Sequence, residues 1–325
     1  MSEVGAPVPV LLVAGFLGAG KTTVVNHLLA HADGKRIAAV VNDFGAINID
    51  AALIAGAADG VVSLSNGCIC CSLEGDLLRT LSGLLRRDPR PEAIVIETSG
   101  VADPREVART LMDPVIWREA PLEMVLCVVD AMASEEALAD PLLQAQLRAA
   151  DVVALSRTDL ADAAAVARVR AAVAAMVPRA VVVEAPLGAV PPALVFSPDM
   201  AAVAMAAVRD AGPRDVGPRD VGRLKRPVAE RFETFGWTSE RPVSLPAFQA
   251  AIGRLAPKLA RAKGILEVAE QPGRRLVFHL AGGRATLAPY AGTVEAGVPA
   301  VRVVFVAELG RVSAEEVAGV MGDFK

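Results

Sequence analysis

Short apolar runs recur through the first half of the chain: Val8 to Ala14, Ile37 to Val41, Ala93 to Ile96, Met124 to Val129, Val152 to Leu155 and Ala180 to Val183. Runs of this length, apolar at every position, predict strands buried on both faces. Segments able to form helices separate them, as parallel crossovers demand. Lys21 to Ala30 has helical periodicity, and Ser72 to Arg86 places leucines at 73, 77, 81, 84 and 85, which predicts a second helix. The fold class expected is therefore α/β, with a mostly parallel sheet flanked by helices.

After Val183 the pattern weakens. Ala211 to Gly222 contains Gly-Pro-Arg-Asp-Val-Gly twice, around Arg214 and Arg219, and reads as a linker. Beyond it, Arg231 to Trp237, Arg275 to Leu280 and Val301 to Val306 have strand character, and Leu245 to Leu255 that of a helix. The organisation expected is a domain over 1–195, a linker over 196–227 and a smaller α+β domain over 228–325.

Composition narrows the partners. The 325 residues suffice for two cores. Lys and Arg number 33 against 37 Asp and Glu, so the net charge of -4 gives no reason to expect nucleic acid or an anionic membrane. Hydrophobic residues make up 53%, but the excess is mostly Ala and Val, and no uninterrupted apolar run reaches bilayer length. Met1 to Val13 has no basic segment ahead of its apolar run, which argues against a signal peptide. With unpaired thiols, this leads us to expect a reducing cytoplasm.

The first strand runs into Gly15-Phe16-Leu17-Gly18-Ala19-Gly20-Lys21-Thr22, a complete phosphate-binding loop in its required strand, loop, helix context. Gly15, Gly18, Ala19 and Gly20 let backbone N–H groups turn inward around phosphate oxygens. Lys21 is expected to neutralise the β- and γ-phosphates, Thr22 to offer its hydroxyl to Mg²⁺, and Thr23 to bond the α-phosphate. The fold is thereby expected to be that of a P-loop NTPase. Glu97 stands at the carboxyl end of the Ile94 to Ile96 strand, where it can hold magnesium through water, and Gly100 allows close approach to the γ-phosphate. In Ser156-Arg157-Thr158-Asp159 the carboxylate of Asp159 can accept both N1 and N2 hydrogens of guanine, a donor pair that adenine lacks. Arg157 can stack on the base. A solvated Asp at a strand end is the plainer alternative.

Three of the four cysteines fall in Cys68-Ile69-Cys70-Cys71. They are too close together for a disulfide scaffold and chemically suited to a soft or borderline metal. Three thiolates on a divalent ion leave one tetrahedral position open, unlike a closed structural zinc site. The helix expected just after Cys71 would lower the thiol pKa. A redox-sensitive loop is the competing reading. Asp43, in Asn42-Asp43-Phe44-Gly45, is a candidate further ligand and switch residue, or the start of an Asx turn. Cys127 and His279 lie inside apolar strands and read as structural, and His27 and His31 as two solvated histidines on the helix after the phosphate loop.

GFLGAGKTT, NDFGAINID, GCICC, ETSGVADP and SRTDL occur in the order and spacing of the CobW-like GTPases, relatives of the urease and hydrogenase nickel-insertion GTPases, and RAKGIL at Arg261 to Leu266 resembles the signature of the CobW C-terminal domain. The resemblance implies a slow, Mg²⁺-dependent GTPase that binds Zn²⁺ or Co²⁺ and delivers it to a client metalloprotein; nucleotide-dependent self-association is compatible with it. It places Lys21, Thr22 and Thr23 at phosphate and magnesium, Glu97 in the outer magnesium shell, Asp159 at guanine, and Cys68, Cys70 and Cys71 around the cognate ion, with Asp43 at an acidic switch position. Two departures stand out. The usual N-K-x-D is here Ser156-Arg157-Thr158-Asp159, which removes an Asn contact and predicts weaker discrimination against ATP. With only three His in the chain, delivery of one ion at a time is favoured over storage. The rival readings are a P-loop kinase with structural cysteines and a metal- or redox-sensing nucleotide-binding interaction protein.

Overall fold

The computed structural model describes residues 7–32, 34–41, 61–63, 73–114, 116–196, 222–223, 232–290 and 298–322. The chain divides into two compact units, Met1–Val195 and Phe196–Lys325.

The first unit is a seven-stranded sheet in the order β3-β2-β4-β1-β5-β6-β7. Its strands are β1 (Val10–Gly15), β2 (Ile37–Val41), β3 (Val61–Ser63), β4 (Ala93–Glu97), β5 (Leu122–Asp130), β6 (Val152–Ser156) and β7 (Val181–Ala185). Every pairing is parallel. All six apolar runs become strands, because continuous apolar sequence suits a sheet covered on both faces. The short strand β3 was not expected from the sequence.

Helices α1 (Lys21–Ala30), α2 (Leu73–Leu85), α3 (Pro104–Thr110), α4 (Glu135–Ala139), α5 (Pro141–Ala149), α6 (Ala163–Met176) and the one-turn α7 (Pro192–Val195) fill the connections. Alternate strand residues Val10, Leu12, Ile94 and Ile96 pack with Leu77, Leu81 and Leu84 of α2 and Val107 of α3. Further along the sheet, Cys127, Val129, Val153 and Leu155 pack with Leu143 and Leu147 of α5 and Val169 and Val173 of α6. Since all strands are parallel, the loops after β1, β4, β5 and β6 leave from one edge. In this strand order the connection from β1 runs to β2 on one side and that from β5 to β6 on the other, and the crevice where neighbouring connections part is the place where open α/β sheets bind ligands.

The second unit holds an antiparallel sheet in the order β12-β11-β10-β13-β9-β8. The strands are β8 (Gly222–Arg223), β9 (Phe232–Ser239), β10 (Leu259–Glu267), β11 (Arg275–Ala281), β12 (Arg284–Pro289) and β13 (Val301–Glu308), with α8 (Leu245–Leu255) and α9 (Ala314–Gly322). One sheet face, including Phe235, Trp237, Ala262, Leu266, Phe278 and Phe305, packs with Phe248, Ile252 and Leu255 of α8 and Val317 and Met321 of α9. Phe248 meets Phe278 edge to face, ring centroids 5.0 Å apart. Gly222–Arg223 pairs with Gly236 and Phe235 of β9, within the stretch expected to link the domains. Among the described residues no helix is long and apolar enough to cross a membrane.

Candidate nucleotide site

The loop between β1 and α1 is shaped by three glycines at positive φ: Gly15 at 143°, Gly18 at 70° and Gly20 at 93°. At Gly15 the reason is contact as well as conformation, since a Cβ there would lie 2.4 Å from the backbone oxygen of Val128 on β5. The phosphate loop is thus pressed directly onto the central sheet. Gly20 caps α1 with no side-chain hydrogen bond, and the first turn of α1 has no acidic residue. Helices α3, α5 and α6, by contrast, are capped by Asp103, Asp140 and Asp162. With neither a capping side chain nor an acidic residue of its own, this positive end of the helix dipole suits an anionic ligand.

Lys21 is 8% exposed, and its ammonium donates to Phe16 O at 3.2 Å, folding back over its own loop. Thr22 Oγ1 donates to Glu97 Oε1 at 2.9 Å, across 75 residues of sequence. Glu97 is buried at the end of β4. A hydroxyl and a carboxylate in contact beside a phosphate loop are the hard oxygen donors that a magnesium ion takes, directly or through water, so the residues present fit that ion. The next turn brings Gly100 against the loop, where a Cβ would lie 2.7 Å from both N and Cα of Leu17. Thr23 is exposed on α1, and its carbonyl lies beside Gly188.

The part of the candidate site where the base is expected is assembled from β5, β6 and the turn after β7. Ser156, at the end of β6, donates its hydroxyl to Ala19 O of the phosphate loop at 2.6 Å. Arg157, at φ 55°, splits its guanidinium between the Asp130 carboxylate and Gly18 O, the latter at 2.7 Å. Asp159 accepts from the Leu187 N–H through Oδ1 at 3.3 Å. Leu187 itself sits at φ 50° in the 3₁₀ turn Pro186–Gly188. Arg157, expected to stack on a base, here bridges the phosphate loop and Asp130. Ser156, where an Asn amide was missed, makes a tether of its own.

Sequence reasoning overlooked Asp130, Gln146 and the Pro186–Gly188 turn as parts of this site. Pro-Leu-Gly directly after the last strand was the one local signal. Asp130 and Gln146 gave none, because their partners lie 27 and about 45 residues away.

Ser156→Ala should strand the buried Ala19 carbonyl and cost about 1–3 kcal/mol. The expected sign in urea unfolding is a lower midpoint with an unchanged slope, accompanied by weaker nucleotide binding.

Cys127, beside β1 on β5, is wholly buried, and burial pushes its thiol up to about 12 against a smaller opposing effect of the Lys21 charge. It behaves as a core residue. Iodoacetamide at pH 8 should leave it unmodified in the native protein and alkylate it once the chain is unfolded, a difference that peptide mass spectrometry reads directly. His27 and His31 stack at 4.1 Å, and His27 is held below its ordinary pKa by burial and then by the charge of His31. Asp43, Cys68, Cys70 and Cys71 lie outside the described residues. Among the described residues no cluster of three or more His, Cys, Asp or Glu side chains is placed to hold a metal ion.

The family model for the CobW/HypB/UreG nucleotide-binding domain matches residues 9–184, more than half of the chain. That for the cobalamin synthesis protein CobW C-terminal domain matches residues 232–319. A zinc chaperone CobW from Sinorhizobium sp is 36% identical over 184 residues, covering 48% of this chain and 52% of that protein. Zinc chaperone YjiA from Escherichia coli K12 is 38% identical over 161 residues, covering 48% and 51%. The chain spans about half the length of the curated relatives it matches. The crystal structure of Zn(II)-bound YjiA GTPase from E. coli aligns over 99% of this chain and 100% of that one, at 22% identity and a TM-score of 0.47.

Proposed function

This chain belongs to the CobW/HypB/UreG nucleotide-binding family and has a CobW C-terminal domain behind that module, and from that premise we propose that it is a Mg²⁺-dependent GTPase that carries a transition metal, zinc or cobalt, to a client metalloprotein. The observation that carries the proposal is the contact of Thr22 with Glu97 at 2.9 Å beside the glycine loop, which joins a magnesium donor set to a phosphate cradle. The names of the relatives support zinc as cargo. Thiolates favour the same ion, with cobalt next.

The roles follow from the chemistry of each group. Backbone amides of the loop and the start of α1 bind the phosphates, and Lys21 adds a compact positive charge where negative charge builds up on the γ-phosphoryl oxygens. Thr22 and Glu97 hold magnesium, which supplies further charge neutralisation when bound. Asp159 accepts the N1 and N2 hydrogens of guanine, and Arg157 holds the phosphate loop against the base side through Gly18. Cys68, Cys70 and Cys71, with Asp43, are the proposed ligands of the carried ion. In sequence Asp43 follows β2 and the cysteines follow β3, and both of these parallel strands end at the sheet edge from which the phosphate loop leaves, which supports a coupling between nucleotide state and metal affinity. Such coupling is reciprocal: GTP tightens metal as much as metal tightens GTP. Hydrolysis is expected to be slow and to release the ion to the client; a second copy of the chain is a further proposed, nucleotide-dependent partner.

Incubation with γ-labelled GTP and ATP tests the reaction. Free labelled phosphate, formed faster from GTP, is the expected product. Label appearing on a small metabolite would overturn the GTPase reading in favour of a kinase.

A further inference from the structure

The loop from Thr98 to Asp103 connects Glu97 to α3 and passes Gly100 against the phosphate loop. A side chain that phosphate chemistry does not itself require grips this loop from the other direction. Gln146 of α5 is wholly buried, and its Nε2 donates to Gly100 O at 3.2 Å and to Ala102 O at 3.0 Å. Because both partners are carbonyls, only the amide NH₂ can face them, which fixes the orientation of the side chain. Its Oε1 is then buried, with no hydrogen-bond partner among the described residues.

We propose that Gln146 is a positioning residue for recognition of the γ-phosphate: its amide clamps the Gly100 and Ala102 carbonyls in one orientation and so holds the Gly100 peptide against the phosphate loop, where a γ-phosphate meets it. The clamp carries the penalty of a stranded buried oxygen, so it costs stability where it stands. The Val101 N–H, next in this loop, is weakly held, since its bond to Ser99 Oγ is long at 3.4 Å. An apolar side chain at 146 releases both carbonyls, and the loop then loses the orientation in which a ligand contacts Gly100. This rests on the GTP reading above, since GDP lacks the phosphate that reaches Gly100.

The test is the affinity of the full chain for Mg²⁺·GTPγS and Mg²⁺·GDP, in wild type, Gln146→Leu and Gln146→Met, with amide hydrogen exchange over residues 98–103. The expected result is a wild type whose Val101 N–H gains protection with GTPγS and not with GDP. In the variants GTPγS binding should fall about tenfold, the worth of one well-formed hydrogen bond, while GDP binding stays within about threefold. Equal losses for both nucleotides would show a merely structural role and overturn the proposal, as would an unchanged preference in either folded variant. If neither variant folds, the wild-type exchange decides, and equal protection of Val101 with both nucleotides overturns it. A wild type that binds neither nucleotide would sink the GTPase reading together with this inference.

Discussion

Lys21→Ala is expected to lower GTP turnover by about 10²–10³-fold, the range found when one preorganised group facing developing charge is removed. The Lys21 ammonium lies 3.2 Å from Phe16 O, inside the loop it is meant to complete, and is almost wholly buried. A phosphate entering the loop meets that charge in a partly desolvated setting, where it counts for more than in water. Alanine keeps the helix, since it is the best helix former and Lys21 is the first residue of α1. Phosphate release at saturating GTP checks the prediction, and thermal melting without nucleotide separates it from loss of fold. Turnover within a few-fold of wild type would mean that another cation does this work.

Gly100→Ala is expected to cost about 10²-fold in turnover while leaving GDP bound, the loss that a misplacement on the order of 1 Å brings to a reacting geometry. The new Cβ would lie 2.7 Å from both N and Cα of Leu17, so backbone must separate from backbone by about 0.7 Å to reach ordinary contact at 3.4 Å. Flexible side chains cannot absorb this, because the atoms struck belong to the phosphate loop itself. Gly15 presses that loop against β5 from the other direction, which closes the easy route of retreat. In the proposed binding mode GDP lacks the phosphate that would meet Gly100, so its affinity should hold while single-turnover GTP cleavage falls. Loss of both together would place the strain in the fold rather than in γ-phosphate recognition.

The parallel sheet was legible because six of its strands are built on uninterrupted apolar runs, and the phosphate loop because all its parts are neighbours in sequence. Glu97 was legible for a similar reason: it ends an apolar run, and parallel topology brings such ends to one edge. What escaped was long-range or locally ambiguous. Strand β10, at the middle of the second sheet, carries Arg261 and Lys263 within its first half and so lacks an apolar signature, yet Arg261 is fully buried there. Strand β12 is mostly exposed, and nothing in Arg284–Pro289 alternates strongly enough to mark it. Ser156 looked like a deficit when set beside an Asn, because its value lies in Ala19 O, 137 residues away. Gln146 was one polar residue on an ordinary amphipathic helix until the fold brought it under Gly100 and Ala102. The cysteine cluster was the most conspicuous feature of the sequence, and its chemistry rests on spacing and residue type.

An anaerobic titration of Zn²⁺ and Co²⁺ into the full chain, against a competing chelator and with no nucleotide, Mg²⁺·GDP and Mg²⁺·GTPγS in parallel, tests the coupling of metal to nucleotide directly. The account predicts one equivalent of metal bound at least about tenfold more tightly with GTPγS than with GDP, a coupling of about 1.4 kcal/mol or more, and loss of that difference in Cys68→Ser. Equal metal affinity in all three nucleotide conditions would contradict it.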